Sequence, residues 1–374
     1  MRILLATDAW EPQVNGVVRT LTRTVAECRD MGHEVLVISP DQFKTVPMPT
    51  YPEIRLALGA YEEIREKFKD FEPDGIHIAT EGPIGMAARR LCQEWKLPFT
   101  TSYHTKYPEY INARFPVPLS VGYAFMRWFH KPSGRVMVAT PTMRADLEKH
   151  GFRNISPWSR GVDTELFRPG LEPVFEGVER PIFVYVGRVA VEKNIESFLE
   201  QDLPGTKVIV GDGPSRVELE KKYPAAKFVG AKFGDELARC YADADVFVFP
   251  SLTDTFGLVI LEAMATGTPV AAYPAPGPID IIPGSNAGVV DEDLKTACLA
   301  CLDLDRKAVR AYAEKFSWRA SAEEFVRNLQ PYPEPERTRF WRRLRRLARL
   351  RRRQSQAGLV AAGQDAPTDG PRPQ

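Results

Sequence analysis

The chain holds 374 residues, 44% hydrophobic and 26% charged, with a formal charge of +1. That length exceeds one ordinary core and predicts two lobes with a cleft between them. The opening run MRILLATDAW is too short for a signal peptide, and no stretch approaches the roughly 20 apolar residues of a membrane span, so neither export nor membrane crossing is expected.

Residues 1–168 alternate short apolar strands with helical stretches, as a parallel α/β sheet does. RILLAT leads into the helix VVRTLTRTVAECRDM, which Gly32 stops, and EVLVIS, GIHIAT, PFTTSY and RVMVAT continue the strands. A proline- and glycine-rich stretch over 160–181, RGVDTELFRPGLEPVFEGVERP, marks the boundary. A second lobe over 169–315 resumes with IFVYVG, KVIVGDG, KFVG and DVFVFPS. The segment 316–331 reads as one more helix that crosses back to the first lobe. The five cysteines are scattered through helical segments, as reduced core thiols in a cytoplasm are. Cys298 and Cys301 share one helical face with no second Cys or His pair nearby, so they predict no metal or redox centre.

The tail, 332–374, carries eleven arginines against four acids, which leaves the rest of the chain mildly acidic. Within 336–353, Phe340, Trp341, Leu344, Leu347 and Ala348 recur at steps of three and four among arginines. This basic amphipathic helix predicts a peripheral anchor on an anionic membrane, its aromatic and leucine side chains entering the acyl boundary. Alternatives are a partner helix, a solvated extension or nucleic-acid contact, and the body's lack of a basic face argues against nucleic acid. After Gln354 the composition predicts disorder.

The first strand is followed by DAWEPQVNGVV rather than a GxGxxG turn, which disfavours a dinucleotide dehydrogenase. In YVGRVAVEKN a glycine ends a strand, and Arg188 and Lys193 converge where open α/β sheets bind ligands; two cations beside helix amides suit a diphosphate. GDGP supplies Gly211 and Gly213 after another strand, a turn that lets backbone approach a ligand. In DTFGLVILEAMATGTPV, Asp254 and Glu262 lie eight residues apart, about 80° around a helix, so both carboxylates are expected to face one cleft. DAD at 243–245 mimics a metal-binding DxD but runs into the strand VFVFP, and no required metal is expected.

In their order and spacing, TDAWEPQVNGV, GRVAVEKN, GDGP and DTFGLVILEAMATGTPV resemble the retaining glycosyltransferases of family 4, over residues 1 to about 330. Asp254 stands where that family usually has the first glutamate of E-x7-E, a shorter carboxylate found in mannosyltransferase-like and glycolipid-synthesising branches. The resemblance implies a GT-B fold, two facing Rossmann-like domains, and a nucleotide sugar as co-substrate with no cofactor. It implies that Asp254 and His104 hold the donor sugar and Glu262 the ribose. Arg188, Lys193, Gly16 and the amides of Phe256, Gly257 and Leu258 would serve the diphosphate. The remaining histidines, at 33, 77, 130 and 150, read as structural.

The donor favoured is GDP-mannose, with UDP-glucose or UDP-glucuronate as alternatives, and the acceptor a lipid or lipid-linked molecule at the cytoplasmic membrane face. Rival readings are an epimerase or phosphorylase on the same architecture, or a non-catalytic membrane adaptor. The intact cations and carboxylates argue against the adaptor, and a phosphorylase would need a much longer chain. An epimerase would convert its sugar nucleotide with no acceptor present.

Overall fold

The computed structural model describes residues 1–13, 15–48, 51–344 and 346. In the first lobe the strands are β1 (Arg2–Ala6), β2 (Glu34–Ile38), β3 (Thr45–Met48), β4 (Tyr51–Ala57), β5 (Gly75–Ile78), β6 (Thr100–Ser102), β7 (Arg135–Val138) and β8 (Ile155–Pro157). In the second they are β9 (Ile182–Val186), β10 (Thr206–Val210), β11 (Lys227–Gly230), β12 (Val246–Phe249), β13 (Val270–Ala272) and β14 (Gly288–Val290).

Two six-stranded sheets result, in the orders β2-β1-β5-β6-β7-β8 and β11-β10-β9-β12-β13-β14, and β3 and β4 form a separate antiparallel pair. Every pairing within the two large sheets is parallel. The runs IFVYV and VFVF of β9 and β12 are buried throughout because helices cover both faces of such a sheet. Strand order reverses between β1 and β5 and again between β9 and β12, and crevices open at the carboxyl ends of those strands.

No helix or strand lies between Trp158 and Pro181 among the described residues. The DAD segment fastens this connection. Asp243 accepts from the backbone N–H groups of Val174 (2.9 Å) and Phe175 (2.7 Å), and Arg180 pairs with both Asp243 and Asp245. Both carboxylates therefore have structural partners.

The helix Trp318–Asn328, capped by the Ser317 hydroxyl on the Ala320 N–H, packs on the helix Gly16–Asp30 and sends Ala322, Phe325 and Leu329 into a first-lobe core with Ile3, Leu5 and Trp158. Residues 334–344 are helical as well. Their apolar face turns to the first lobe: Trp341 is 3% exposed in the core cluster with Leu91 and Phe129, and Phe340 and Leu344 are half-buried against the same cluster. Trp95 lies 5.9 Å from the Phe340 ring and 6.1 Å from Trp341, and Arg337 pairs with Asp74.

This corrects the expectation of membrane entry for Trp341, which the protein itself covers, whereas Phe340 and Leu344 are only half-buried against the same cluster. An amphipathic pattern says that one face seeks burial, not against what. Losing a buried tryptophan of this kind costs about 3–5 kcal/mol. Leu347, Ala348 and the segment after Gln354 lie outside the described residues. No helix among the described residues is long and apolar enough to cross a membrane. Cys298 and Cys301 lie buried in the helix Leu294–Cys301, and burial pushes the Cys301 thiol up to about 12.

Candidate active site

The site straddles the second-lobe crevice. β9 ends at Val186 and delivers Arg188 and, through a short turn of helix, Lys193; β12 ends at Phe249 and delivers Asp254. Neighbours on opposite sides of the strand-order reversal, the two segments bring Lys193 Nζ to 2.5 Å from Asp254 Oδ1. Both side chains are about four-fifths covered, at 21% and 19% exposure. Burial works against the Lys193 charge, but Asp254, Tyr110 and Tyr185 outweigh it and hold the ammonium above the usual lysine range. Arg188 is half-buried, and the Tyr185 hydroxyl donates to its carbonyl at 2.9 Å.

The carboxylate pair is not arranged as a helical face. The helix begins only at Leu258, with Gly257 as its cap in the left-handed region (φ 83°), so Asp254 sits on the preceding turn and the angular argument does not apply to it. A side chain at Gly257 would also meet Ile260 and Phe249 at 3.0 Å. Asp254 turns to Lys193, whereas Glu262, on the helix, is 5% exposed. Its carboxylate accepts from the Tyr241 hydroxyl (3.1 Å) and pairs with Arg19 from the first lobe. Burial raises the Glu262 pKa, and Arg19 and Tyr241 offset part of that rise.

Gly211 and Gly213 have a reason internal to the protein. A Cβ at Gly211 would stand 1.8 Å from the Gly187 carbonyl oxygen, and one at Gly213 would stand 2.3 Å from that of Val189. The loops after β9 and β10 are thus packed backbone to backbone, which fixes the turn that carries Arg188.

From the first lobe, Asn15 caps the helix Gly16–Asp30 by accepting from the N–H groups of Val17 and Val18, both at 3.0 Å. Gly16 is exposed at that cap, and a Cβ there would come no nearer than 3.9 Å to anything, the nearest atom being Leu258 Cδ1 across the cleft. Gly16 and the start of the Leu258 helix thus approach closely, with space for a Cβ only in contact with Leu258.

His104 follows β6, and its carbonyl accepts from the Thr255 hydroxyl at 2.7 Å, so the turn bearing Asp254 rests on it. Its ring nitrogens are held within the first lobe: Arg160 donates to Nδ1 (3.4 Å), which leaves Nε2 to donate to Ser102 Oγ (2.8 Å). Burial first, then Arg160, holds the His104 pKa well below the usual histidine value, so the ring is neutral at pH 7. Behind it, burial lowers His77 to about 3. A further bridge closes the cleft where Thr142 donates its N–H (3.0 Å) and hydroxyl (2.9 Å) to Asp280.

Sequence reasoning missed Arg19, Tyr110, Arg160, Tyr241 and Thr255. Each acts on a partner far away in the chain, and only Arg19, one turn past Gly16 on the same helix, had a local signal. A cavity of about 110 Å³ opens beside Arg19 and Glu262 at the lobe junction. Among the described residues no group of three or more His, Cys, Asp or Glu could hold a metal ion.

Residues 14–166 match the family model for Glycosyltransferase Family 4, and residues 180–304 match that for Glycosyl transferases group 1. The sulfoquinovosyl transferase of Arabidopsis thaliana is 31% identical over 85% of this chain and 70% of its own. The chain belongs to glycosyltransferase family 4.

A GDP-mannose-dependent α-mannosyltransferase of Mycobacterium tuberculosis is 30% identical, covering 78% of this chain and 83% of its own. An α-monoglucosyldiacylglycerol synthase of Streptococcus pneumoniae is 25% identical, covering 81% and 78%. In fold, the structure matches sucrose-phosphate synthase of Thermosynechococcus elongatus with a TM-score of 0.71, at 21% identity over 87% of this chain and 97% of that one. The family 4 chain thus has the two-lobed GT-B architecture and is a glycosyltransferase.

Proposed function

We propose that this glycosyltransferase moves a hexose from a nucleotide sugar to a lipid or lipid-linked acceptor at the cytoplasmic face of a membrane, with retention of anomeric configuration. The observation that carries the reading is the covered Lys193–Asp254 pair at the strand-order reversal, on a turn that Thr255 ties to the His104 carbonyl of the first lobe. Lys193 and Arg188, with the amides of Phe256, Gly257 and Leu258 at a helix start, meet the negative charge that grows on a departing diphosphate. Gly211 and Gly213 hold the backbone of that corner in place. Asp254 accepts from donor-sugar hydroxyls, and His104 flanks the sugar from the first lobe. Glu262 accepts from the ribose hydroxyls, exchanging Arg19 for them.

The bond from the sugar C1 to the diphosphate oxygen breaks, and the acceptor oxygen bonds to C1 from the same face. A phosphate oxygen takes the acceptor's proton. With fixed cations and amides in place, the step calls for no metal and no cofactor.

GDP-mannose is the donor we favour, because a relative named for that donor is 30% identical over most of its length. UDP-glucose is the second reading, supported by likeness to a glucosyldiacylglycerol synthase. The test offers the purified full chain a panel of nucleotide sugars with membrane lipid extract and identifies products by mass spectrometry. A mannosylated lipid formed from GDP-mannose is expected. Sugar-nucleotide conversion without an acceptor, or no product from any donor, would overturn the reading.

A further inference from the structure

The helices Tyr107–Arg114 and Leu119–His130 form a hairpin on the first lobe. It is rigidly held. The Tyr123 hydroxyl donates to Glu109 across the pair at 2.5 Å, and a Cβ at Gly122 would stand 2.8 Å from Pro108 Cβ, so the helices touch where the glycine sits. Tyr123, Met126 and Phe129 are buried on the inner side. On the outer side Ile111, Phe115, Leu119, Val121, Phe125 and Trp128 are each 41–56% exposed, apolar surface on which only the Arg89 guanidinium, 4.0 Å over the Trp128 ring, is seen to stack among the described residues.

Charge on this stretch is one-sided. The second helix and the residue after it, 119–131, contain no aspartate or glutamate but two cations, Arg127 and Lys131, while the hairpin's Glu109 is engaged by the Tyr123 hydroxyl. Arg127 and Lys131 are exposed beside the apolar patch. The hairpin also adjoins the candidate site: Tyr110, on the same helix as Ile111, is hydrogen-bonded to Thr253 and lies within the electrostatic reach of Lys193 and Asp254.

We propose that the outer face of the 107–130 hairpin docks on an anionic lipid bilayer and presents the cleft to it. Apolar side chains enter the acyl boundary and the flanking cations meet anionic headgroups. This rests on the lipid-acceptor reading above. It moves the apolar part of membrane contact away from the C-terminal helix, whose Trp341 is buried inside the first lobe.

The test uses the full chain, because deleting residues after 330 would strip Trp341 from the core. Wild type and a Val121→Glu/Phe125→Glu double variant are floated with vesicles of phosphatidylcholine alone, or mixed with an equal amount of phosphatidylglycerol. Wild type should float with the anionic vesicles, and the double variant should bind them at least about tenfold more weakly. Both positions are exposed, so the melting temperature and turnover on a soluble short-chain acceptor should stay unchanged. Vesicles with brominated acyl chains should quench the tryptophan fluorescence of wild type, and much less that of Trp128→Tyr. Equal flotation of wild type and double variant would overturn the proposal, as would flotation without that quenching. So would a concentration-dependent dimer abolished by the double variant, with no flotation of wild type. Flotation needs no turnover, so its failure leaves the transferase reading standing; normal flotation with no lipid product counts against the acceptor alone.

Discussion

On the second-lobe rim of the cleft the polar groups are charged and enclosed, Lys193 against Asp254 and Glu262 against Tyr241. The first-lobe rim offers mostly neutral groups: the ring of His104, the open cap at Gly16 and the carbonyl that receives Thr255. Its cations are turned to protein partners, Arg19 to Glu262 and Arg160 to the His104 ring. Keeping charges covered costs desolvation, so they belong where a substrate's own charge will meet them. A neutral rim suits hydroxyl groups, which need hydrogen bonds without a fixed charge. The contrast supports assigning the diphosphate to the second lobe and the sugar and acceptor hydroxyls to the gap between the lobes.

The largest effect should come from the charged rim. Lys193→Ala is expected to lower turnover at least about 100-fold, as loss of one charge-stabilising group in an enclosed site does, with Arg188→Ala close behind. On the neutral rim, His104→Gln keeps a hydrogen-bonding side chain and should cost no more than about tenfold, the worth of one net hydrogen bond. Steady-state kinetics on the variants decide between the rims, and a His104 loss exceeding that of Lys193 would invert the comparison.

A smaller and pH-dependent effect should follow from Arg19→Ala. Burial raises the Glu262 pKa and Arg19 partly offsets it, so removing the guanidinium raises it further. On the proposed role of Glu262, the ionised carboxylate that accepts from the ribose hydroxyls is the form lost as pH falls. Nucleotide affinity should therefore begin to fall at a higher pH in the variant than in wild type as the solution is acidified. Superimposable pH profiles from fluorescence titration would break the link between Arg19 and Glu262.

The smallest effect is expected from chelation. EDTA should leave turnover within about twofold if Lys193, Arg188 and the helix-start amides meet the leaving charge. Strong inhibition reversed by Mg²⁺ or Mn²⁺ would add a metal to the charged rim.

Much of the architecture was legible because buried parallel strands such as IFVYV and VFVF announce themselves, and because Arg188 and Lys193 follow a strand end directly. What escaped did so for local and for long-range reasons. The eight-residue spacing of Asp254 and Glu262 misled, because Gly257 delays the helix to Leu258, a matter of turn chemistry that periodicity does not register. Arg19 and Tyr241 meet Glu262, and Arg160 meets His104, only once distant strands and helices are assembled. The pattern of Phe340, Trp341 and Leu344 showed a face that seeks burial but not that Trp95 and Leu91 supply it. By contrast, the exposed patch around Phe125 and Trp128 was hidden in sequence. Its buried neighbours Met126 and Phe129 make the whole run look like core.

The division of labour on the second-lobe rim is tested most directly by calorimetric titration of GDP into wild type, Asp254→Asn and Glu262→Ala. If Asp254 holds the sugar and Glu262 the ribose, Asp254→Asn binds GDP like wild type, and Glu262→Ala binds it at least about tenfold more weakly, a loss of about 1.4 kcal/mol or more. Equal GDP affinity in the two variants would contradict the account.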